Sequence, residues 1–263
     1  CSYCSQSKSS TAEIPKYNIL NREKLLDGAR IAFEQNAKTY CIVISARGPS
    51  DREMNAVEQI VPEIKAKYDL NICACLGLLD DQQAARLKAC GVDRVNHNLN
   101  TSEEFYTNIC STHTYGDRIQ TLNAVRNAGI EICSGGIIGM GEKPIDVVRM
   151  ALQLRDVGAC SIPLNFLIPI DGTPLAKKAS QLTPRDCLRA LAMFRFANPE
   201  VELRIAGGRE LHLGTLQPLG LYAANSIFVG DYLTTGGQPP EQDIRMVEEM
   251  GFQVTKHDEL ISS

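Results

Sequence analysis

The sequence predicts an α/β fold, a (βα)8 barrel of the TIM type whose first strand lies outside this chain. Three observations lead there. Short β-branched runs alternate with amphipathic stretches from end to end, the pattern of parallel strands with helices packed outside them. About seven candidate strands follow one another with no linker or shift in composition, so residues 1–263 read as a single domain. No glycine-rich GxGxxG turn supports the rival, an open doubly wound sheet.

The elements follow in order. The stretch from Cys1 reads as a loop leading into a helix over Arg22–Asn36, so the chain starts where a first strand would just have ended. Candidate strands are Thr39–Ser45, Asn71–Gly77, Val92–Asn98, Ile130–Gly139, Cys160–Ile168, Val201–Ala206 and Ser226–Val229. Asp51–Tyr68 places Met54, Val57, Val61 and Ile64 on one helical face, and Asp117–Ala128 does the same with Ile119, Leu122 and Val125. Thr183-Pro184 supplies an N-cap and first-turn proline, with Asp186 favouring the helix N-terminus. Pro240–Met250 is the last helix, stopped by Gly251. In such barrels the chemistry sits at the C-terminal ends of the strands.

Composition narrows the function. With 44% apolar residues the chain is not disordered, and no apolar run approaches the roughly 18 residues of a membrane helix. A balance of 27 Lys+Arg against 31 Asp+Glu, without a basic tract, argues against a nucleic-acid partner. Ten cysteines stand out: Cys1, Cys4, Cys41, Cys73, Cys75, Cys90, Cys110, Cys133, Cys160 and Cys187. A chain this long needs no disulfide staples, so a cytoplasmic location with metal-binding, catalytic or buried thiols is expected.

Cys1-Ser-Tyr-Cys4 is a CxxC with no second pair downstream to complete a zinc ribbon. Cys41, Cys73 and Cys133 each fall on a candidate strand. Singly each reads as a small core residue; together, if they point inward, they form a soft thiolate cage suited to an iron–sulfur cluster. Arg204, on another strand, would be a fourth ligand, or an ion-pair partner of Glu202 or Glu210. Cys75 shares the parity of Cys73, and Cys90, Cys110, Cys160 and Cys187 read as packing residues. The run Asn96-His97-Asn98-Leu99-Asn100 offers amide donors and acceptors at a strand end. Asn165 is an amide in an apolar strand and must find a partner. Ser134-Gly135-Gly136 and Gly139-Met140-Gly141-Glu142 allow a close backbone approach, and Gly230-Asp231 with Thr234–Gly237 forms a polar nest. His113, His212 and His257 show no metal spacing.

Taken together, CSYCSQS at Cys1–Ser7, NHNLNTS at Asn96–Ser102, CSGGIIGMGE at Cys133–Glu142, IPLNFLIPIDGTPL at Ile162–Leu175, RIAGGRE at Arg204–Glu210 and ANSIFVGDYLTTGG at Ala224–Gly237 resemble the biotin synthases, radical S-adenosylmethionine enzymes. The resemblance covers nearly the whole chain. It implies a [4Fe–4S] cluster on a CxxxCxxC loop, of which Cys1 and Cys4 are the last two cysteines, the first falling four residues before Cys1. It implies a [2Fe–2S] cluster on Cys41, Cys73, Cys133 and Arg204. S-adenosylmethionine contacts carry over to Tyr3, Asn98, Asn100, Arg118 and Ile137, and dethiobiotin contacts to Asn98, Asn165, Thr234 and Thr235. Asn100 stands where some members have Asp, Val95 replaces an aromatic residue, and ISARGP at Ile44–Pro49 lacks a common glycine. The implied reaction inserts sulfur into dethiobiotin by radical abstraction of hydrogen, with the cofactors carrying the hard chemistry. A homodimer, an electron donor such as flavodoxin or ferredoxin, and no membrane are expected with it. Alternatives are a relative in the same superfamily with another substrate, and a non-catalytic barrel that has lost its first cluster. The chain as it stands, with two of three cluster cysteines, is expected to be inactive.

Overall fold

A computed structural model describes residues 1–14, 21–177, 182–232 and 236–255. Strands and helices alternate as the periodicity requires: α1 (Arg22–Glu34), β1 (Thr39–Val43), α2 (Asp51–Lys67), β2 (Asn71–Cys75), α3 (Asp81–Ala89), β3 (Arg94–Asn96), α4 (Glu103–Tyr106) and α5 (Tyr115–Asn127). They continue with β4 (Glu131–Cys133), β5 (Gly136–Ile138), α6 (Pro144–Asp156), β6 (Ser161–Phe166), α7 (Pro184–Ala197), β7 (Glu202–Ile205), α8 (Arg209–Leu213), α9 (Gln217–Gly220), β8 (Ser226–Ile227) and α10 (Pro240–Glu249). The strand order is β1-β2-β3-β4-β6-β7-β8, with β5 joining β6. The strand registers described are parallel.

Local chemistry sets the helix starts. Ser50 accepts from Glu53 N at 3.4 Å while Glu53 Oε2 accepts from Ser50 N at 2.7 Å. Asp80 and Gln83 form the same reciprocal box before α3, and Thr183 and Asp186 before α7. Each such box satisfies two N–H groups that the helix leaves over. Gly251, at φ +79°, ends α10 in the left-handed region that the sequence anticipates there.

The chain forms two compact units. One contains α1, β1, α2, β2, α3 and β3 with most of α5. Its core is the apolar face predicted for α2, where Met54, Val57, Val61 and Ile64 are fully buried with Ile42 of β1 and Ile72 of β2. The other unit is Cys1–Pro15, Asn98–Ile119 and Cys133–Phe252. Here Ile162, Leu164 and Phe166 of β6, with Leu203 and Ile205 of β7, are buried on one side of the sheet. The alternate residues of these strands project from the other side.

Two expectations change. The single strand Ile130–Gly139 is instead two three-residue strands, β4 and β5, with Ser134 and Gly135 between them. Gly135 leaves the ladder because its backbone lies against Pro163: a Cβ there would sit 1.9 Å from the Pro163 carbonyl oxygen. Gly135→Ala must therefore move backbone. We expect it to lower the thermal midpoint by at least about 5 °C, at roughly 2–4 °C per kcal/mol for a chain this size; a melt within a degree of the parent would show that the approach is looser. Cys110, expected in a helical stretch, lies in a loop just beyond the single turn of α4.

Candidate functional site

Strand β6 organises the site in the second unit. Its residues Ser161, Pro163 and Asn165 alternate with the buried Ile162, Leu164 and Phe166 and so project from one face. The register places Cys133 and Glu202 beside Ser161, Arg204 beside Pro163, and Ile137 beside Asn165. Partners in parallel register point the same way. Cys133, Arg204, Ile137 and Asn165 therefore share one face at three successive levels. Ser161 and Asn165 are four residues apart, about 13 Å along the strand. The Cys133 level is nearer the strand start, and the Ile137–Asn165 level is at the C-terminal end.

A polar chain runs across the lower levels. Cys133 Sγ lies 3.7 Å from Ser161 Oγ, which donates to Glu202 Oε1 at 3.1 Å. Glu202 also accepts from Ser226 Oγ at 3.3 Å and forms an ion pair with Arg204 Nη2. Arg204 Nε donates to Ser226 Oγ at 3.2 Å. Of the two carboxylates the sequence offers Arg204, Glu202 is the one that pairs with it. That pair and its two serines solvate a guanidinium in a place where it would otherwise be prohibitive. Ser161 and Ser226 carry no sequence signal of their own; only the register shows them.

At the upper level three asparagines brace one backbone segment, Asn98 and Asn165 through their side-chain amides and Asn100 through its backbone. Asn98 Oδ1 accepts from Gly135 N at 3.0 Å. The Asn100 backbone pairs with Gly135 O at 3.0 Å and Ile137 N at 2.9 Å, from a left-handed conformation at φ +71°. Asn165 donates through Nδ2 to Gly136 O at 3.2 Å and accepts from Gly207 N at 3.0 Å. The asparagines expected to meet ligands thus also hold the Gly135–Ile137 segment in place, and Asn165 finds the partners an apolar strand demands. Glu142 closes the following loop by accepting from Gly139 N and Met140 N, each at 2.7 Å. Asp231 Oδ1 accepts from Gly237 N at 3.1 Å, as in a nest. Thr234 and Thr235 lie outside the described residues, as does His257.

The N-terminal loop belongs to the same unit. Ser2 N donates to Ile109 O at 2.8 Å, Ser2 Oγ to the same oxygen at 3.0 Å, and Leu175 N to Ser2 O at 3.1 Å. These bonds hold Cys1, Tyr3 and Cys4, all half-buried, beside the loop after α4. Burial pushes the Tyr3 phenol well above its ordinary pKa, with the positive charge of Arg118 opposing it, so the hydroxyl stays protonated.

Arg118 on α5 is buried and spends three of its five N–H groups on protein. Nε donates to Tyr106 Oη at 2.5 Å, Nη1 to Asn98 O at 2.6 Å, and Nη2 to His113 Nε2 at 2.9 Å. An arginine only donates, so His113 Nε2 accepts and its proton sits on Nδ1, which faces Thr112 Oγ1 at 3.0 Å. Burial raises the Tyr106 phenol to about 12 despite Arg118 beside it.

Sequence reasoning missed Cys110 and His113. Cys110 Sγ is 3.7 Å from Cys1 Sγ and 3.6 Å from His113 Nδ1, and these three side chains form the one grouping of metal-capable donors among the described residues. Burial works against ionising the Cys110 thiol, but hydrogen bonds from Thr112, His113 N–H and Tyr106 outweigh it and bring its pKa below the ordinary thiol value. No spacing rule could find this pair, because 109 residues separate the two cysteines.

In the first unit Cys41 and Cys73 are direct register partners on β1 and β2 and share a face, with Arg94 beside Cys73 on β3. Their strand neighbours Ile42 and Ile72 alternate to the opposite face and are buried there. Cys75 keeps the parity of Cys73 and pairs with Val43. Cys187 is fully buried in α7, and Cys90 caps the end of α3, both consistent with packing.

Residues 1–154 match the Radical SAM superfamily, and residues 163–253 match the Biotin and Thiamin Synthesis associated domain. The biotin synthase of Rhodopirellula baltica is 68% identical over 255 residues, covering 97% of this chain and 71% of its own length. That of Bacillus subtilis strain 168 is 55% identical over 263 residues, covering 100% and 78%. In fold, the crystal structure of methylornithine synthase (PylB) superposes with a TM-score of 0.84 at 17% identity, covering 100% of this chain and 81% of that one. This likeness, with the parallel strand order, shows an α/β partial TIM-type barrel. The radical S-adenosylmethionine match brings with it a [4Fe–4S] cluster and S-adenosylmethionine, and the relatives a [2Fe–2S] cluster. The chain belongs to the biotin synthase family.

Proposed function

We propose that this chain supplies the catalytic barrel for sulfur insertion into dethiobiotin, with Cys41, Cys73, Cys133 and Arg204 holding the [2Fe–2S] cluster. Cys1 and Cys4 supply two thiolates of the [4Fe–4S] site. Tyr3, Asn98, Asn100, Arg118 and Ile137 bind S-adenosylmethionine, and Asn98, Asn165, Thr234 and Thr235 bind dethiobiotin. The observation that carries this reading is the common face of β6, where Cys133 and Arg204 lie below Ile137 and Asn165. Sulfur source, cofactor contact and substrate contact then follow one another along one wall.

The donors fit the groups assigned to them. Cys133 is a buried soft donor with Ser161 Oγ 3.7 Å from its sulfur, and Arg204, on the same face one level up and across β6, is held by Glu202 and Ser226. When bound, the clusters and S-adenosylmethionine supply the electron, the radical and the sulfur. The chain's own residues do the rest. Arg118, fixed by Tyr106, Asn98 and His113, presents its remaining N–H groups to an anionic carboxylate without first having to be ordered. Asn165, fixed by Gly136 and Gly207, positions a polar urea-like group over the apolar Ile137. The protonated Tyr3 phenol covers the site from the N-terminal loop and helps to exclude water. An electron donor of the flavodoxin or ferredoxin type, a homodimer and a cytoplasmic setting belong to the same reading. Among the described residues no helix is long and apolar enough to cross a membrane.

The test is anaerobic reconstitution with iron and sulfide, then assay for methionine and biotin. The chain of residues 1–263, with two of three cluster thiolates, is expected to give no multiple turnover. An extended version carrying a cysteine four residues before Cys1 is expected to cleave S-adenosylmethionine and form biotin. Cleavage without biotin would assign a different substrate; no cleavage by the extended version would favour the non-catalytic barrel. Multiple turnover by the unextended chain would overturn the role given to the absent thiolate.

A further inference from the structure

We propose that Cys1 and Cys110 form a disulfide site, which closes when the chain carries no metal cluster and meets a disulfide oxidant of the glutathione class. Their sulfurs are 3.7 Å apart. A disulfide needs about 2.05 Å, so the two must approach by roughly 1.6 Å, within the swing of two side chains about their χ1 bonds. The backbone already brings them together. Ser2, next to Cys1, bonds through both its N–H and its hydroxyl to the carbonyl of Ile109, next to Cys110. Leu175 N holds the same turn from the other side through Ser2 O. Cys110 N is itself fixed to Tyr106 O at 3.1 Å, at the end of α4. The two thiols are thus held facing each other by pinned neighbours, and closing the bond orders little that is not already ordered.

The spacing also decides what the pair is. Two thiolates on one tetrahedral ion, at about 2.3 Å from it, stand roughly 3.8 Å apart, so a single soft cation would suit the sulfurs. The third donor of the group is engaged elsewhere, because His113 Nε2 accepts from Arg118 and Nδ1 faces Thr112. Disulfide formation leaves both of those bonds intact, and it is the reading adopted.

The chemistry balances. One cysteine thiol attacks oxidised glutathione, giving a mixed disulfide and one glutathione thiol. The other cysteine attacks the protein sulfur of that mixed disulfide, forming Cys1–Cys110 and releasing a second glutathione thiol. Two electrons pass to the oxidant, and the two thiol protons leave with the two glutathiones. If Cys1 is an iron ligand, as proposed above, the bridge withdraws it until a thiol reductant restores it. The bridge itself does not depend on that role.

The experiment uses the cluster-free chain under argon with oxidised glutathione. Thiol titration in denaturant should fall by two from the ten present, with no glutathione retained by mass. Peptide mapping should then join Cys1 to Cys110. Cys110→Ser, checked for folding by circular dichroism, should lose the bridge, and Cys1→Ser should leave a glutathione on Cys110. A bridge between Cys1 and Cys4 would overturn the proposal. So would an unresolved adduct on Cys110 in the parent, or a thiol count that does not change.

Discussion

Cys133→Ala is expected to abolish the visible absorption of the auxiliary [2Fe–2S] cluster, while Cys90→Ala leaves it in place. Both are half of the same experiment, because both delete a thiol and only one deletes a proposed ligand. Cys133 of β4 is 1% exposed and starts a polar chain that runs through Ser161 of β6 and Glu202 of β7 to Arg204. Losing one of three thiolates leaves an iron without a soft donor, and iron–sulfur clusters depend on thiolate ligation. Cys90 caps α3 and donates to Leu87 O at 3.2 Å, and burial raises its thiol above the ordinary pKa, as befits a packing residue. The [2Fe–2S] absorbance and its share of the bound iron should be lost in the first variant and match the parent in the second. Equal loss in both would mean that these cysteines matter only to folding. Arg204→Ala is the milder change, since an arginine is a poor ligand when protonated. It should shift the cluster's spectrum and leave Glu202 in need of another partner.

Arg209→Met is expected to cost about 3–5 kcal/mol of stability, or on the order of 10 °C in thermal midpoint. Arg209 is 1% exposed and Asp243 on α10 is fully buried. Two hydrogen bonds of 2.7 Å join Arg209 Nη2 to the two carboxylate oxygens, and Gln217 holds Nη1. Removing one partner leaves an unpaired buried charge, which is where the loss arises. The double variant Arg209→Met/Asp243→Leu should recover much of it, since both charges are then gone. Burial raises the Asp243 carboxyl above its ordinary pKa even with Arg209 opposing. A carboxyl raised on folding contributes stability that is complete below its unfolded pKa and is lost as pH rises through the folded one. Without Arg209 the rise is larger. The gap between parent and Arg209→Met should therefore narrow as pH is lowered towards the ordinary carboxylate range. A gap that is constant with pH, or a loss below about 1 kcal/mol, would show that the pair contributes packing and not charge compensation.

The residues that were legible beforehand are those whose signal is local. The apolar stripe of Met54, Val57, Val61 and Ile64 has the helix period and is buried as that period requires. Thr183-Pro184 and Asp186 start α7 because capping is decided within one turn. The CxxC at Cys1–Cys4 and the glycines after Cys133 stood out because their spacing along the chain is itself the pattern. Even the shared parity of Cys73 and Cys75 could be read, since a strand alternates every second residue.

Tertiary structure decided what depends on which strands are neighbours. Whether Arg204 pairs with Glu202 or Glu210 was open in the sequence. Strand alternation puts Glu202 on its own face, two residues away, while Glu210 falls in α8. Ser161 and Ser226 became part of the site only because β6 and β8 flank β7 in register. The break between β4 and β5 follows from the contact of Gly135 with Pro163, a clash that alternation along one strand does not contain. Cys110 read as a packing residue and His113 showed no metal spacing for the same reason. Their meeting with Cys1 rests on the hydrogen bonds from Ser2 to Ile109, a contact between segments more than 100 residues apart. Periodicity determines which way a side chain faces; only the folded chain determines what it faces.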